Sequence, residues 1–170
     1  MSSIDTSAGL RLPQPEEIPE RDTEDAMGAY LMMFASLAIG LPIPLFNLIA
    51  SIIYFFVNRK NSVFAAFHSL QALLTHIPVV LLNAGMVGWI IGNLVVKDRL
   101  APAFFWYLFF TILANLAYII WSIVALVRAR KGRFVYFPLI GRFCFGRYYG
   151  PGAEKRRRPK QWENKPPEGF

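Results

Sequence analysis

Three long apolar blocks dominate the chain, separated by short polar turns and flanked by polar ends. The first, Ala26 to Val57, would make a helix of about 48 Å, too long for one straight crossing of a hydrocarbon core of about 30 Å. Gly40, Pro42 and Pro44 sit at its centre, and prolines two apart remove backbone donors and disfavour helix in the turn before them. The block is therefore expected to be one strongly bent span or two half-helices meeting at Leu41 to Pro44. After the turn Asn58-Arg59-Lys60-Asn61, the second block runs from Ser62 to Val96 and has two characters. From Ser62 to His76, the polar residues Ser62, His68, Ser69, Gln71, Thr75 and His76 share one side of a helix, which predicts an amphipathic helix at the interface or one lining a bundle interior. Pro78 then opens an apolar segment, Ile77 to Val96, whose length of about 30 Å matches one span. The third block, Ala101 to Val127, starts with Pro102 and a crowd of aromatic residues. Trp106 and Tyr107 near one end and Tyr118 and Trp121 near the other read as interfacial anchors.

This pattern predicts an all-α, polytopic helical membrane protein with three to four membrane segments. The first is broken by proline, and an amphipathic helix precedes the span of the second block. The domain organisation is an acidic, proline-containing tail over 1–26, a helical membrane domain over 27–128 and a basic, aromatic and proline-rich tail over 129–170. Pro13, Pro15 and Pro19 favour extended backbone until about Thr23. Composition agrees: 55% of the 170 residues are hydrophobic and 17% charged, greasier than a soluble domain of this size. The charged residues are concentrated in the tails, acidic in the first and basic in the second, and the formal net charge is +7. Residues 1–26 lack the basic start and apolar run of a secretory signal. Arg59 and Lys60 between the first two blocks, and Arg128, Arg130, Lys131 and Arg133 after the third, place these turns and the C-terminus in the cytoplasm by the positive-inside rule. The expected location is the bacterial inner membrane. The N-tail lies outside if the first block is one bent span and inside if it is a hairpin.

Candidate chemistry is sparse. Asn47, Asn83, Asn93 and Asn115 fall at membrane depth, whereas Asp, Glu, Lys and Arg do not, which counts against proton-coupled transport. The asparagines are expected to bond between helices, and Gly85, Gly88 and Gly92, with Asn83 and Asn115, are the candidate helix-contact residues. His68 and His76 are about 12 Å apart along a helix, so one metal cannot take both, and Cys144 is the sole cysteine. No metal site and no catalytic residue is predicted, and the protein is not expected to be an enzyme. No cofactor is required, although His68 could ligate a haem or chlorophyll. In the C-tail, Lys155, Arg156, Arg157, Arg158 and Lys160 form a cluster suited to anionic lipid or a partner surface. Nucleic acid is not expected, because no recognition fold accompanies the run.

The stretch from Asn47 to Leu74 joins an apolar helix, the basic turn Arg59-Lys60, and then Phe67, His68, Gln71, Ala72 and Leu73. It resembles the core pattern of the bacterial relatives of the twenty-kilodalton component of the chloroplast inner-envelope import translocon. The segment from Gly132 to Arg142, with Phe137-Pro138, is similar to the aromatic-proline segment after that family's last helix. The resemblance implies a compact domain with four membrane segments and both termini inside, and it transfers no activity. The functional expectation is a non-catalytic accessory or scaffolding subunit packed against other integral membrane subunits. The alternatives are a channel or translocation component lined by Asn47, His68, Gln71, Asn83 and Asn115, and a pigment- or haem-bearing subunit.

Overall fold

A computed structural model describes residues 12–34, 44–96 and 100–150. Five α-helices, α1 (Glu20–Leu31), α2 (Pro44–Asn58), α3 (Val63–Val96), α4 (Pro102–Arg130) and α5 (Ile140–Tyr148), are joined by short 3-10 turns at Pro15–Glu17 and Met32–Phe34. Among the described residues there is no strand.

The helices divide the molecule into an apolar hairpin and a packed head. Residues 77–96 of α3 pair with the first half of α4 and leave Leu81, Val87, Ile91, Leu94, Phe105, Trp106, Phe109 and Leu113 exposed. Trp89 sits 5.8 Å from Phe104 and 5.7 Å from Tyr107, fixing the register of the antiparallel pair. So wide an exposed apolar surface is unfavourable in water and is what lipid requires. In the head, α1 packs against α3 and α4, α2 and α5 pack against α3, and Ala26, Ala29, Tyr30, Met33, Phe64, Ala72, Ala125 and Ala129 form a continuous core. The alanines let α1, α3 and α4 approach closely, as small residues do in membrane bundles.

Two helices, α3 and α4, are long and apolar enough to cross a membrane, fewer than the three to four segments expected. The physical reason lies in the first block. Its N-terminal part belongs to α1, which is rich in acid and begins at Glu20, inside the segment read as an extended tail. Its C-terminal part is α2, whose 15 residues give about 22 Å, shorter than the hydrocarbon core. The break is thus real in that α1 and α2 are separate helices, while Gly40 and Pro42 themselves lie outside the described residues.

The second block also differs from expectation. The amphipathic helix and the span are one helix of 34 residues, with Pro78 inside it. Of the two arrangements open to its polar face, the interior one is found: His68, Ser69, Gln71, Thr75 and His76 are all buried, because α1, α4 and the segment 133–137 close over them. Helix α2 is inverted in the same sense. Ser51 and Asn58 are buried and Tyr54 turns inward to bond the Asp25 carbonyl (3.0 Å), whereas Leu45, Ile49, Ile53, Phe56 and Val57 are exposed.

At the end of α4, Gly132 adopts φ +67°, with its N–H bonded to the Ala129 carbonyl (3.0 Å) and the Arg133 N–H to that of Arg128 (2.9 Å). This is a Schellman closure, which needs a residue free of a Cβ penalty. It turns the chain back so that residues 133–137 run as an extended strap over α3.

Gly28 sits so close to the Tyr54 hydroxyl that a Cβ there would overlap it, whereas a Cβ on Gly88 or Gly92 would meet nothing within 4 Å. Gly28→Ala is therefore expected to expel Tyr54 and lower stability by about 1–3 kcal/mol. Gly88→Ala should leave the melting temperature in mild detergent unchanged; equal effects of the two changes would contradict this packing.

Candidate functional site

The strongest concentration of polar chemistry is buried at the centre of the head, where α1, α3 and the strap meet. Gln71 donates from Nε2 to the Tyr30 hydroxyl (3.0 Å) and to the Val135 carbonyl (2.9 Å), and its Oε1 accepts from the Phe137 N–H (3.4 Å). Both of its amide hydrogens and its carbonyl are thus used. The Tyr30 hydroxyl, which accepts from Gln71, also shares a hydrogen bond with His68 Nδ1 at 2.9 Å. Tyr30, His68 and Gln71 are completely buried, and burial raises the Tyr30 phenol above its ordinary range, so it remains neutral.

The ring of His68 is packed by Phe64, Phe67 and Phe134, with centroids 4.5, 5.0 and 6.1 Å away, and by Tyr30 at 5.7 Å. Its Nε2 has no hydrogen-bond partner among the described residues. His68 is completely buried among three phenylalanine rings, so a haem or chlorophyll could reach it only if that packing opened. The residues as packed do not fit that group. Among the described residues, no cluster of three or more His, Cys, Asp or Glu is placed to hold a metal ion.

Two further polar contacts join α3 to α4. His76 Nδ1 bonds the Tyr118 hydroxyl. Lower in the hairpin, Asn83 and Asn115 form a reciprocal amide pair, each donating to the other at 3.1 Å, and each also donates to a carbonyl of its own helix. Paired amides satisfy one another where water is absent. Of the predicted contact residues, then, Asn83 and Asn115 meet each other, and Gly85 faces the Tyr107 hydroxyl, which bonds the Leu82 carbonyl (2.9 Å). A Cβ on Gly88 or Gly92 would meet nothing within 4 Å among the described residues, so these two make no close helix contact there. The residues expected to line a conduit are dispersed: His68 and Gln71 belong to the head cluster and Asn83 and Asn115 to the hairpin. None of them, nor Asn47, lines the cavity of about 610 Å³ beside Glu17, Asp22 and Phe64 or the cavity of about 440 Å³ beside Tyr136 and Arg142.

The sequence pattern located Phe67, His68, Gln71, Ala72 and Leu73 but not what they bind. Phe67 is buried against Cys144 and Tyr149, and Ala72 in the core. Tyr30, the Val135 carbonyl and the Phe137 N–H were not foreseen, because they come from an acid-rich helix and an irregular strap. Arg130 was read as an orientation signal only, yet it bridges Glu20 (3.0 Å) and Glu24 (3.3 Å) and clamps α1 to the end of α4. The Glu20/Glu24 spacing of four on a helix was the available signal. Lys155, Arg156, Arg157, Arg158 and Lys160 lie outside the described residues.

An apolar two-helix hairpin beneath a head that buries its polar residues defines a helical membrane protein. Residues 24–144, more than half of the chain, match the model of the magnetosome magnetite crystal formation protein family, and the chain belongs to that family. This overturns the resemblance to the bacterial relatives of the chloroplast import translocon. The pattern that carried the resemblance, a basic turn followed by aromatic, His and Gln residues, is accounted for here by the buried cluster and its aromatic shell. No curated protein and no solved structure matches the chain.

Replacing Gln71 by Leu would strand the Val135 carbonyl and the Phe137 N–H in an apolar core, at about 1–3 kcal/mol for each buried group left unpaired. Asn83→Leu, at a partly buried amide pair, should cost less than half of that, measured as thermal unfolding in the same detergent. Cys144 supplies a second check. It is wholly buried, and burial pushes its thiol up to about 12. Maleimide should therefore label the folded protein at least about tenfold more slowly than the unfolded chain at neutral pH.

Proposed function

We propose that this protein is a non-catalytic integral membrane subunit of the magnetosome membrane that supports magnetite crystal formation through contact with other membrane subunits and with anionic lipid. The family match over residues 24–144 carries this reading. Two features of the chain support it. The asparagines Asn83 and Asn115 in the hairpin are engaged with each other and with backbone carbonyls, as helix-contact residues would be. The lipid-compatible surface is large relative to the head, and Gly88 and Gly92 lie on it with open space above them, available to a neighbouring helix.

A finer topology belongs to the same proposal. Helix α2, apolar outside and polar inside, is a third membrane-embedded segment that enters the bilayer from the cytoplasmic side without crossing it. Arg59 and Lys60 precede α3 and Arg128, Arg130, Lys131 and Arg133 end or follow α4, which by the positive-inside rule supports a cytoplasmic position for that end and for the C-terminus. The membrane is the bacterial inner membrane or one of the same topology.

The test is deletion of the gene in a magnetite-forming bacterium, with crystal number and size read by electron microscopy. Smaller or fewer crystals, restored by the wild-type chain, are expected. Crystals unchanged in number, size and shape would contradict the proposal.

A further inference from the structure

The corner between the strap and α5 has a feature that packing within this chain does not account for. Leu139 adopts φ +62°, ψ −54°, and the Ile140 N–H bonds the Pro138 carbonyl at 2.7 Å across it. This is a γ-turn with a positive central φ, a strained conformation for a residue bearing a branched side chain. The turn tightens so far that a Cβ on Gly141 would press on the Tyr136 backbone, at 2.8 Å. The strain does not bury Leu139: its side chain is 87% exposed, the most exposed of the large hydrophobic residues described.

The surface continues from there in a regular way. Leu139, Arg142, Phe143, Gly146 and Arg147 follow one another at helical spacings of three, one, three and one, and all are exposed, whereas Gly141 and Cys144 on the opposite side are buried. Phe143 is 62% exposed. Arg142 borders a cavity of about 440 Å³ whose other walls are Tyr136, Phe145, Gly146 and Gly150. Neither Arg142 nor Arg147 makes an ion pair among the described residues. The corner is joined to the hairpin surface, since Trp121 of α4 lies 5.9 Å from Phe137, two residues before Leu139, and is itself partly exposed beside Ile120 and Val124.

We propose that this face of α5 is a binding site for an anionic phospholipid of the bilayer in which the hairpin is embedded. Leu139 and Phe143 enter the acyl region beside Trp121. Arg142, backed by Tyr136 and Phe145, takes the lipid phosphate, and Arg147 holds the same headgroup from the next turn. Aromatic and arginine side chains at this level match the chemistry of a membrane interface. The strained turn is then explained by what it presents. The inference rests on the reading of the chain as a membrane protein. Failure of that reading would release the chain from membranes in alkaline carbonate, whereas failure of this one leaves it embedded.

The experiment uses the full chain in neutral detergent, exposed to equal amounts of phosphatidylglycerol and phosphatidylcholine, with retained lipid counted by native mass spectrometry. Preferential retention of phosphatidylglycerol is expected, reduced about fivefold by each of Arg142→Gln and Arg147→Gln, the ratio that ~1 kcal/mol per basic residue near anionic lipid gives. Neutralising Lys155, Arg156, Arg157, Arg158 and Lys160 should leave the preference in place. If the double arginine variant retains the preference, or if neutralising those five residues abolishes it, the site is not on α5. Displacement by inorganic phosphate would assign the arginines to free anions and overturn the lipid assignment. Leu139→Gly separates fold from binding: it relieves the positive φ, so the melting temperature should hold or rise while lipid retention falls severalfold. A lowered melting temperature with unchanged retention would make Leu139 a packing residue and defeat the proposal.

Discussion

One buried amide holds the head together. Gln71 has three hydrogen-bonding positions in use, and each goes to a different place: the hydroxyl of Tyr30 on α1, the carbonyl of Val135 and the N–H of Phe137 on the strap. A backbone segment that belongs to neither helix nor sheet must find partners for its own polar groups before it can be buried. The strap does so on a side chain, and only a residue with both donor and acceptor on one planar group can serve it. Once the strap is fixed, Phe134 and Phe137 close the aromatic shell around His68 and Tyr30, and α5 follows along the first half of α3.

Above and below this point the same helix lives in two environments. The first half of α3 is wrapped by protein, so it tolerates His68, Ser69, Gln71, Thr75 and His76. The second half, past Pro78, faces outward and is almost wholly apolar, with the Asn83–Asn115 pair turned toward α4. Pro78 removes one donor from the ladder without ending the helix, as is common where neighbouring helices support the freed carbonyl. The inside-out character of α2 follows the same rule: its buried side carries Ser51, Tyr54 and Asn58, and Tyr54 bonds the Asp25 carbonyl of α1. Lipid-facing and protein-facing sides are thereby distinguished by polarity in the reverse of the order a soluble protein shows.

Much of this was legible in the chain. The apolar blocks gave α3 and α4 with nearly their observed limits, and the side of α3 that carries chemistry was found from spacing alone. Its direction stayed open between the membrane interface and a bundle interior, because a polar stripe on an isolated helix looks the same whether it faces water or a buried partner. What resolves that ambiguity is Tyr30, which opens the first apolar block just after a run of Glu and Asp whose composition reads as a solvated tail. Arg130 pairing with Glu20 and Glu24 makes that acidic run a packed helix, a contact across more than a hundred residues that local pattern does not reveal. The strap and its strained exit at Leu139 have no periodicity and were invisible for the same reason. The family relation was misassigned on a motif that describes a packing solution.

The central claim is that residues 133–137, with no regular secondary structure, are as firmly held as the helix they cross. Hydrogen–deuterium exchange of the full chain in lipid nanodiscs tests it directly. Protection of the Phe137 amide comparable to that of the first half of α3, lost in the Gln71→Leu variant, is the result the account requires. Exchange of the strap at the rate of an open loop, with α3 and α4 still protected, would contradict it.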